Sequence, residues 1–425
     1  MEYGLIGAKL GHSFSREIHA RIADYDYELC ELSPDGVAEL MNERSFRAIN
    51  VTIPYKETVI PMLDVISENA AKIGAVNTVV NRGGRLYGYN TDYAGASALI
   101  RRAGVEIKDK KVLILGTGGT SKTMRAVVGD MGAASVIGVS RRSGGENVTY
   151  DEAARLHSDA DVIINTTPVG MFPSDDGCPI DISLFHSLSG VIDVIYNPLS
   201  TRLVTEARKR GVPAEGGLYM LAAQAVCASA LFLGKADSES SLDTALCDSV
   251  FRSVLAQKQN IVLIGMPSSG KSTVGARISE LTGRELVDTD VLISEKTGRA
   301  ITEIFATDGE AAFRALEREA VAEVSRRSGI IIATGGGAVL DPRNVDKLKQ
   351  NGVLFFLDRP LGLLCATADR PLSRDASALA RRYEERYPVY TSVCDVRVPG
   401  EGSVNEVAEL VLGGIQNENS RNYRT

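Results

Sequence analysis

One glycine-rich loop in the second half of the chain carries a lysine at a spacing typical of nucleoside-triphosphate chemistry. The segment reads NIVLIGMPSSGKSTVGARI over residues 260–278. Its Gly265, Gly270, Lys271 and Ser272 follow the Walker A spacing between an apolar run and an amphipathic stretch. In such a loop backbone N–H groups cradle phosphates, the lysine reaches the β- and γ-phosphates, and the serine hydroxyl binds Mg²⁺. The predicted ATP-binding residues are Gly265, Ser269, Gly270, Lys271, Ser272 and Thr273.

A second glycine-rich turn lies in the first half, in the segment KVLILGTGGTSKTMRAVV at residues 111–128. Strand, turn and helix in this order place a helix N-terminus where it can bind the pyrophosphate of a dinucleotide. Gly116, Gly118 and Gly119 would let the backbone approach the phosphates, whereas Ser121 stands where the usual pattern has its third glycine. A tight turn without a ligand is the alternative interpretation.

The residues after the next apolar run bear on which dinucleotide is bound. The run ends in VIGVSRRSG at residues 136–144, with Ser140, Arg141 and Arg142 where an NAD-binding chain usually has an acidic residue. Guanidinium groups bind phosphate through two parallel hydrogen bonds, so the pair favours NADP with its 2′-phosphate. The alternative is a solvated basic pair on a surface loop.

Several short motifs within residues 1–250 occur in an order that resembles shikimate dehydrogenase. They are GHSFS at 11–15 (with His19 shortly after), NVTIPYKE at 50–57, GAVNT at 74–78, GYNTD at 88–92, NTTPVG at 165–170 and GLYMLAAQ at 217–224. The resemblance implies an NADPH-dependent reductase of 3-dehydroshikimate with an α/β substrate-binding subdomain and a Rossmann subdomain. The chain departs from the family at Arg16, where a proline commonly follows the second serine.

The resemblance also implies roles for individual residues of this first site. Lys56 and Asp92 would be the catalytic pair, in which the lysine protonates the alkoxide left by hydride addition and the carboxylate orients the lysine. An ordinary surface ion pair is the alternative. The substrate's hydroxyls and carboxylate would be bound by Ser13, Ser15, Thr52, Asn77, Asp92 and Gln224.

Four further residues of this half are candidates for a role at the same site. Tyr196 would lie near the nicotinamide, with a position in the core as an equal alternative, and Gly217 would contact the cofactor. His12 and His19 are candidates for acid–base chemistry, but we expect them to pack or to cap a helix.

Ordered motifs after the Walker A loop resemble shikimate kinase over residues 260–412. They are DTD at 288–290, TGRAITEIFATDGEAAFRALE at 297–317, GGGA at 335–338, RPL at 370–372 and RYPVY at 386–390. The resemblance implies that Asp288 and Ser272 hold Mg²⁺ and that Asp290 binds the acceptor hydroxyl and takes its proton. The remaining implied contacts are Arg314 and Arg386 with the acceptor carboxylate, Gly335, Gly336 and Gly337 with the acceptor, and Arg370 with the transferring phosphoryl group.

Each of these kinase residues has a plainer alternative. Arg386 lies in the charged run RRYEER and could be solvated, Arg314 could belong to a helical ion-pair network, and the triple glycine could close a turn. The lid region CATADRPLSRDASALA at 365–380 looks shorter and less basic than is usual in the family. The loop VPGEGS at 398–403 carries no adenine-stacking arginine, so we expect loose ATP binding.

The composition of the 425 residues argues against several classes of function. A net charge of −7 and a pI of about 5.4 disfavour nucleic acid as a partner. The start MEYGLIGAKLGHSF lacks the features of a signal peptide, and no apolar run reaches the roughly 20 residues that span a bilayer. The six cysteines are scattered, which disfavours structural zinc and disulfides. We therefore expect a cytoplasmic enzyme of small-molecule substrates, with its oligomeric state, homo-oligomer included, left open.

Apolar runs of strand length alternate with amphipathic stretches along most of the chain, which predicts an α/β fold of βαβ units and parallel sheets. A polar run, KADSESSLDT at 235–244, precedes a helical pattern and marks the best domain boundary. We expect a dehydrogenase-like unit at 1–256, with 1–97 and 224–250 binding substrate and 98–223 binding NADP in a Rossmann subdomain. A kinase-like P-loop domain, similar to nucleoside-monophosphate kinases, would occupy 257–425.

Together the two resemblances predict a bifunctional enzyme, because the two families act on consecutive steps of the shikimate pathway. One alternative is a quinate-type dehydrogenase joined to a kinase for another small polyol. Another is an inactive protein that senses nucleotides. The joint presence of Lys56, Asp92, Lys271 and Asp290 argues against the inactive protein.

Overall fold

The computed structural model of the chain describes residues 1–11, 13–145, 147–364 and 376–421. Contacts between residues divide it into two compact units, Met1–Val254 and Leu255–Thr425. The division falls inside the helix Thr244–Lys258, in the stretch where the sequence predicts a helix before the second unit. The boundary between residues 256 and 257 stays a prediction about which fragments fold independently.

The first lobe of the first unit is built on one six-stranded sheet with the strand order β2-β1-β3-β5-β6-β4. Its strands are β1 (Tyr3–Gly7), β2 (Tyr27–Glu31), β3 (Ala48–Val51), β4 (Val65–Ile66), β5 (Thr78–Arg82) and β6 (Arg85–Tyr89). Its helices are α1 (Ser15–Ile22), α2 (Pro34–Glu43), α3 (Glu68–Ile73) and α4 (Asp92–Arg102). Buried apolar side chains such as Ile6, Ile49 and Val79 form the core under this sheet.

This sheet is mixed, whereas the alternation of strands and helices predicts parallel pairing. β1 runs parallel to β2 and β3, but β5 runs antiparallel to both β3 and β6. The reason is local: Gly83 and Gly84 have φ of 61° and 85° and join β5 to β6 in a two-residue hairpin. The expectation of parallel strands is therefore wrong for this pair.

The second lobe of the first unit is an all-parallel sheet with the order β12-β11-β10-β7-β8-β9. Its strands are β7 (Lys111–Leu115), β8 (Ser135–Ser140), β9 (Asn147–Thr149), β10 (Val162–Asn165), β11 (Gly190–Asp193) and β12 (Ala214–Glu215). The helices that follow are α5 (Gly119–Asp130), α6 (Tyr150–Leu156), α7 (Arg202–Lys209), α8 (Leu218–Phe232) and α9 (Thr244–Lys258). The strand order reverses at β7, and the carboxyl end of such a switch point is where open α/β sheets bind ligands.

Two continuous helices join the lobes of the first unit. The predicted subdomain limits at 97/98 and 223/224 fall inside α4 and α8, which pack against each other. Gly95 permits the close packing, because a Cβ there would lie 2.7 Å from the carbonyl oxygen of Met220. The limits therefore cut through helices shared by both lobes and do not fall in linkers.

The second unit is a five-stranded parallel sheet with the order β14-β15-β13-β16-β17. Its strands are β13 (Asn260–Ile264), β14 (Leu286–Asp288), β15 (Ile331–Ala333), β16 (Gly352–Asp358) and β17 (Val396–Pro399). Its helices are α10 (Lys271–Thr282), α11 (Thr289–Thr297), α12 (Ile301–Thr307), α13 (Gly309–Ser325), α14 (Pro342–Asn351), α15 (Ala376–Val393) and α16 (Val404–Arg421).

The central strand β13 explains why its sequence is an unbroken apolar run. Val262 and Ile264 belong to one buried cluster, and Ile261 and Leu263 belong to another. Successive side chains of a strand point to opposite faces, so both faces of this sheet are covered. Within the described residues, no helix is long and apolar enough to cross a membrane.

Candidate active sites

A buried ion pair joins the loop after β3 to the start of α4. Lys56 Nζ lies 2.5 Å from Asp92 Oδ2, and the side chains are only 13% and 9% exposed. Asp92 is the first residue of α4, where the helix dipole favours a carboxylate. The burial excludes the alternative of an ordinary surface ion pair. An ammonium held in this way has a fixed position from which to give a proton.

Lys56 also lies against the glycine-rich turn of the second lobe. A Cβ at Gly119 would be 3.6 Å from Cδ of Lys56. Gly119 is the first residue of α5, and its N-cap, Gly118, contributes no side-chain cap. The predicted proton donor and the predicted dinucleotide-binding helix therefore meet at one place.

Serine hydroxyls and an aromatic ring gather at the start of α1. Ser13 Oγ donates to Ser15 Oγ at 3.0 Å, and the ring of Tyr196 packs on Phe14 with centroids 5.2 Å apart. The Tyr196 hydroxyl is hydrogen-bonded to Ser13, while burial raises the pKa of that phenol. The structure thus brings Tyr196, for which a position in the core is the alternative, next to Ser13.

A network of buried amides and hydroxyls fixes Asn77 beside the predicted catalytic pair. Its Oδ1 accepts from the backbone N–H of Thr91 at 2.8 Å, and its Nδ2 donates to Thr91 Oγ1 at 3.0 Å. Thr91 immediately precedes Asp92. The orientation of Asn77 is therefore tied to the position of the Asp92 carboxylate.

The two remaining predicted substrate residues lie on separate elements. Thr52 directly follows β3, half-buried, four positions before Lys56 in sequence. Gln224 is buried on α8, where its Nε2 donates to the carbonyl of Leu221 at 2.9 Å. Its Cβ lies 3.2 Å from the position that a Cβ of Gly95 would take, so Gln224 faces α4.

The glycine-rich turn after β7 has the geometry that a dinucleotide needs. Gly116 has φ of 107°, and a Cβ there would lie 2.8 Å from Thr166 Oγ1, so only glycine fits. Ser121 is predicted to contact the cofactor. Its hydroxyl is buried and donates to the carbonyl of Gly116 at 2.8 Å. The serine side chain therefore stabilises the turn itself.

The predicted phosphate clamp lies at the carboxyl end of β8. Arg141 and Arg142 are both exposed, and Ser140 Oγ donates to the carbonyl of Arg142. Gly217, the N-cap of α8, is required on steric grounds, since a Cβ would lie 2.0 Å from the carbonyl oxygen of Val194. The described contacts leave the guanidinium groups accessible to a phosphate.

Two glycines of the Walker A loop adopt backbone conformations that other residues rarely adopt, as the predicted role of the loop requires. Gly265 and Gly270 have φ of 146° and 92°. Lys271 Nζ donates to the carbonyls of Gly265 and Met266, each at 2.9 Å, so its ammonium is held against the loop. Ser269 Oγ is buried and has no hydrogen-bond partner within the described part of the chain, which fits a loop that receives phosphate oxygens.

Two oxygen ligands suitable for Mg²⁺ meet beside this loop. Ser272 Oγ donates to Asp288 Oδ2 at 2.5 Å, and Asp288 Oδ1 caps α11 by accepting from the backbone N–H of Asp290 at 2.9 Å. A hydroxyl and a carboxylate are hard oxygen donors of the kind that magnesium prefers. Thr273, the next residue of α10, is exposed.

The triple glycine after β15 is compressed from three directions. A Cβ at Gly335 would lie 2.6 Å from Asp290 Oδ1, one at Gly336 would lie 2.8 Å from Cδ of Pro267, and one at Gly337 would lie 2.3 Å from Nη1 of Arg314. None of these glycines has a positive φ among the described torsions, so close packing and not turn geometry requires them. The loop touches the predicted acceptor residues and the phosphate loop at once.

The two predicted carboxylate-binding arginines both contact this loop. Arg314 forms the ion pairs of the helical alternative, with Glu317 at 2.7 Å and Glu310 at 3.0 Å, yet its guanidinium also covers Gly337. Arg386 is only 8% exposed and its Nη1 donates to the carbonyl of Gly336 at 3.1 Å. The alternative of a solvated Arg386 is therefore wrong.

Comparison with known families supports both halves of this description. The model of the shikimate dehydrogenase substrate-binding domain matches residues 5–79, and the shikimate kinase model matches residues 267–416. The NADP⁺-dependent shikimate dehydrogenase of Clostridium beijerinckii is 35% identical over 247 residues, which is 54% of this chain and 91% of the relative. That of Halothermothrix orenii is 38% identical over 260 residues, covering 54% and 90%.

The chain belongs to the shikimate dehydrogenase family. It also carries a shikimate kinase domain, so it is a bifunctional shikimate-pathway enzyme with NADP as the cofactor of its dehydrogenase.

Solved structures match the shikimate dehydrogenase unit as well. A chorismate mutase/shikimate 5-dehydrogenase fusion protein from Clostridium acetobutylicum superposes with a TM-score of 0.54 at 36% identity, over 59% of this chain and 96% of that one. Shikimate 5-dehydrogenase from Thermus thermophilus in complex with NADP(H) and shikimate gives 0.52 at 28% identity, over 60% and 99%.

The shikimate kinase unit contains close neighbours of the predicted acceptor residues that the motifs did not single out. Glu317 is 1% exposed and pairs with Arg314 at 2.7 Å; burial raises its pKa, and the arginine opposes that shift. Tyr390 is fully buried and its hydroxyl donates to the carbonyl of Gly336, the same oxygen that Arg386 binds. Tyr390 is part of the RYPVY motif, but the motif predicts a role only for Arg386.

Some predicted residues lie outside the described part of the chain. They are His12 in the first unit and, in the second, residues 365–375 of the lid, which include Arg370, predicted to neutralise the transferring phosphoryl group. An arginine does reach the VPGEGS loop, but from the position directly after β16 and not from the loop itself. Arg359 Nη1 donates to the carbonyl of Gly400 at 3.3 Å.

Proposed function

We propose that the first unit reduces 3-dehydroshikimate to shikimate with NADPH, and that the second unit phosphorylates shikimate with MgATP. The proposed reductase activity rests on one observation: the buried Lys56–Asp92 ion pair lies against Gly119 of the dinucleotide turn. The proposed acceptor site of the kinase rests on the glycine loop, which is enclosed by Asp290, Pro267 and Arg314.

In the reductase, the bound cofactor supplies a hydride to the ketone carbon. As the C–H bond forms, the electron pair of the C=O π bond moves to oxygen, and Lys56 Nζ donates a proton to that oxygen. Asp92 holds the ammonium at 2.5 Å and so fixes the position from which the proton is given. General acid catalysis of this kind contributes on the order of 10²–10⁴-fold in rate.

The residues around this pair would bind the ring of the substrate. Ser13 and Ser15, already linked at 3.0 Å, offer two hydroxyls to a carboxylate. Asn77 is held by Thr91, so its amide is oriented before the substrate arrives. Thr52 and Gln224 would complete the hydroxyl contacts from β3 and α8.

The NADP preference follows from charge at the end of β8. Arg141 and Arg142 are exposed and would pair with the 2′-phosphate, with Ser140 beside them. The turn Gly116–Gly119 and the free N-terminus of α5 fit the pyrophosphate. Tyr196 and Gly217 would border the nicotinamide end.

In the kinase, Ser272 and Asp288 would hold Mg²⁺, which neutralises phosphate charge, and Lys271 would leave its loop carbonyls for the β- and γ-phosphates. Asp290 would accept the proton of the attacking hydroxyl as the new O–P bond forms and the bond to the β-phosphate oxygen breaks. Arg314 and Arg386 would bind the acceptor carboxylate across Gly337 and Gly336. ATP contacts from Gly265, Ser269, Gly270 and Thr273 are part of this proposal.

A coupled assay tests both activities on the intact chain. With 3-dehydroshikimate, NADPH and MgATP, we expect NADPH to disappear and shikimate 3-phosphate to accumulate. If ATP is omitted, shikimate 3-phosphate should no longer form, but NADPH should still be consumed. Turnover of quinate with NADP⁺ at a rate equal to that of shikimate would contradict the substrate assignment, and lack of phosphorylation of added shikimate would contradict the kinase.

A further inference from the structure

A fully buried carboxylate at the carboxyl end of β11 has no part in the reduction described above. Asp193 is 0% exposed and forms no ion pair among the described residues. Its Oδ1 accepts from Asn165 Nδ2 and from the backbone N–H of Ile195, both at 3.0 Å. Its Oδ2 accepts from Thr201 Oγ1 at 2.7 Å. Three donors thus converge on one side chain.

The three donors come from two loops of the second lobe. Asn165 is the last residue of β10 and begins the segment that we call loop A (residues 165–171), and Ile195 lies in loop B (residues 194–201) after β11. Thr201 ends loop B and is the N-cap of α7, where it accepts from the backbone N–H of Val204. The carboxylate therefore ties two loops and a helix start together.

Loop A forms one wall of the dinucleotide turn. Thr166 Oγ1 donates to the carbonyl of Leu115 at 2.6 Å, and it occupies the space that a Cβ of Gly116 would need. Asn165 Oδ1 accepts from the backbone N–H of Thr167 at 3.0 Å, so the same side chain that binds Asp193 also shapes the loop. A shift of Asn165 would move this wall.

Loop B carries the residues at the opposite end of the predicted cofactor site. Tyr196 packs on Phe14 beside Ser13, and the carbonyl oxygen of Val194 lies against Gly217. The two loops also touch directly, because the backbone N–H of Phe172, just after loop A, donates to the carbonyl of Asn197 at 3.0 Å. Asp193 accepts hydrogen bonds from both loops and so links one loop to the other.

The charge of this group is costly to keep in the folded protein. Burial raises the pKa of Asp193 to about 6, and its three hydrogen bonds only partly oppose that shift. A side chain that served packing alone would be less costly if it were apolar. The retention of a carboxylate here points to the geometry that its three acceptor contacts impose.

We propose that Asp193 is a positioning residue that sets the nicotinamide end of the NADPH site by holding loops A and B together. It touches neither substrate nor cofactor and acts through Asn165, Ile195 and Thr201. The inference rests on the proposed reductase function.

The test compares Asp193→Ala and Asp193→Asn with a destabilised control from the same strand, Val191→Ala. Asparagine keeps an oxygen for Asn165 and Ile195 and can donate to Thr201 Oγ1, whereas alanine leaves all three donors without an acceptor. Val191 is equally buried but apolar, so its truncation lowers stability without touching the loops. NADPH binding is titrated by cofactor fluorescence, and KM is measured for NADPH and for 3-dehydroshikimate.

We expect Asp193→Ala to raise the Kd and KM for NADPH by about tenfold or more, the scale of a lost charge-assisted contact, and to change the KM for 3-dehydroshikimate less than about threefold. Asp193→Asn should stay within about threefold of wild type in NADPH affinity, as should Val191→Ala once the folded fraction is taken into account. Equal NADPH affinity of Asp193→Ala and Val191→Ala would overturn the proposal, as would an Asn variant as weak as the Ala variant.

If Asp193→Ala does not fold, Thr201→Val removes the donor to Oδ2 and tests the same carboxylate from the other side. We expect its Kd for NADPH to rise by about threefold or more, and an unchanged Kd would contradict the proposal. Failure of the proposed function looks different: wild type would then bind NADPH but not oxidise it with 3-dehydroshikimate.

Discussion

The guanidinium of Arg314 lies so close over Gly337 that a Cβ on the glycine would be 2.3 Å from Nη1 and 2.6 Å from Nη2. The residues are on different elements, since Arg314 is on α13 and Gly337 precedes the short turn 338–340 after β15. Glu317 and Glu310 hold the arginine from the other side, so it has little room to retreat. Arg314 can therefore occupy this position only because residue 337 has no side chain.

Replacing this glycine should weaken acceptor binding. In Gly337→Ala we expect the KM for shikimate to rise by about tenfold or more, because the methyl group displaces a guanidinium that makes charge-assisted bonds. The KM for ATP should change less than about threefold, since Lys271 and the loop amides bind it. Gly413→Ala is the matched control: nothing lies within 4 Å of that Cβ, and it should leave both constants unchanged. An unchanged KM for shikimate in Gly337→Ala would mean that Arg314 does not bind the acceptor.

The reductase should be far more sensitive to removal of the proposed proton donor, Lys56, than to removal of another lysine in an ion pair. Lys56→Ala should lower reductase turnover by about a hundredfold or more, the usual scale of general acid catalysis, and leave kinase turnover nearly unchanged. Lys72→Ala removes an exposed ion pair of similar geometry, 2.8 Å from Asp130, and should have no comparable effect. If Lys56→Ala kept turnover within a few-fold of wild type, the lysine would not be the proton donor.

The choice of cofactor should depend on the two exposed arginines. Replacing Arg141 and Arg142 by serine should raise the KM for NADPH by about tenfold or more per lost contact and leave that for NADH nearly unchanged, because only NADPH has the 2′-phosphate. Arg210→Ser removes an exposed arginine elsewhere in the first unit and serves as the control. Equal use of NADH and NADPH by wild type would contradict this assignment.

How much of this could be predicted from the sequence depends on how local each cause is. The Walker A residues Gly265 to Ser272 are contiguous, so spacing alone indicated their role. The hairpin of β5 and β6 was equally local, because Gly83–Gly84 is a recognisable two-residue turn, but the alternation of strands and helices concealed it.

Other features could not be predicted because their causes lie far away in sequence. The need for glycine at position 337 comes from Arg314, and the separate need at 336 comes from Pro267. The burial of Arg386 depends on the carbonyl of Gly336, which no charge pattern reveals. Asp193 carried no signal either, since its donors are assembled only when β10, β11 and α7 meet.

A buried histidine should make the first unit sensitive to acid. His19 is 0% exposed, its ring is stacked on Tyr27 at 3.8 Å, and burial lowers its pKa to about 3. Between pH 6.5 and 3 the unfolded chain therefore binds a proton that the folded chain does not, so this contribution to stability falls as the pH falls.

In His19→Phe, which keeps an aromatic ring on Tyr27, this pH dependence should disappear. From pH 6.5 to 4.5 the stability advantage of wild type over the variant should decrease by about 2–3 kcal/mol, at about 1.4 kcal/mol per pH unit. Pulse proteolysis in urea measures it on the intact chain and separates the two units. Parallel stability curves for wild type and variant would mean that His19 titrates normally in the folded protein.

The last prediction concerns which group Arg386 binds. Its side chain is buried, its Nη1 donates to the carbonyl of Gly336, and Tyr390 donates to the same oxygen, so the guanidinium has a fixed direction. A lysine in its place would offer one point charge where a planar carboxylate needs two parallel donors. Arg386→Lys should therefore weaken shikimate binding by about tenfold or more and leave ATP binding nearly unchanged.

Separate titrations of shikimate and ATP distinguish the alternatives for this arginine. Tyr390→Phe is a useful companion, because it removes only the second donor to Gly336 and keeps the ring stacked on Phe356 at 5.1 Å. We expect it to weaken shikimate binding less than Arg386→Lys does, since it leaves the guanidinium in place. If Arg386→Lys instead lowered ATP affinity while shikimate affinity held, the arginine would serve the nucleotide, and Arg314 alone would remain to bind the acceptor carboxylate.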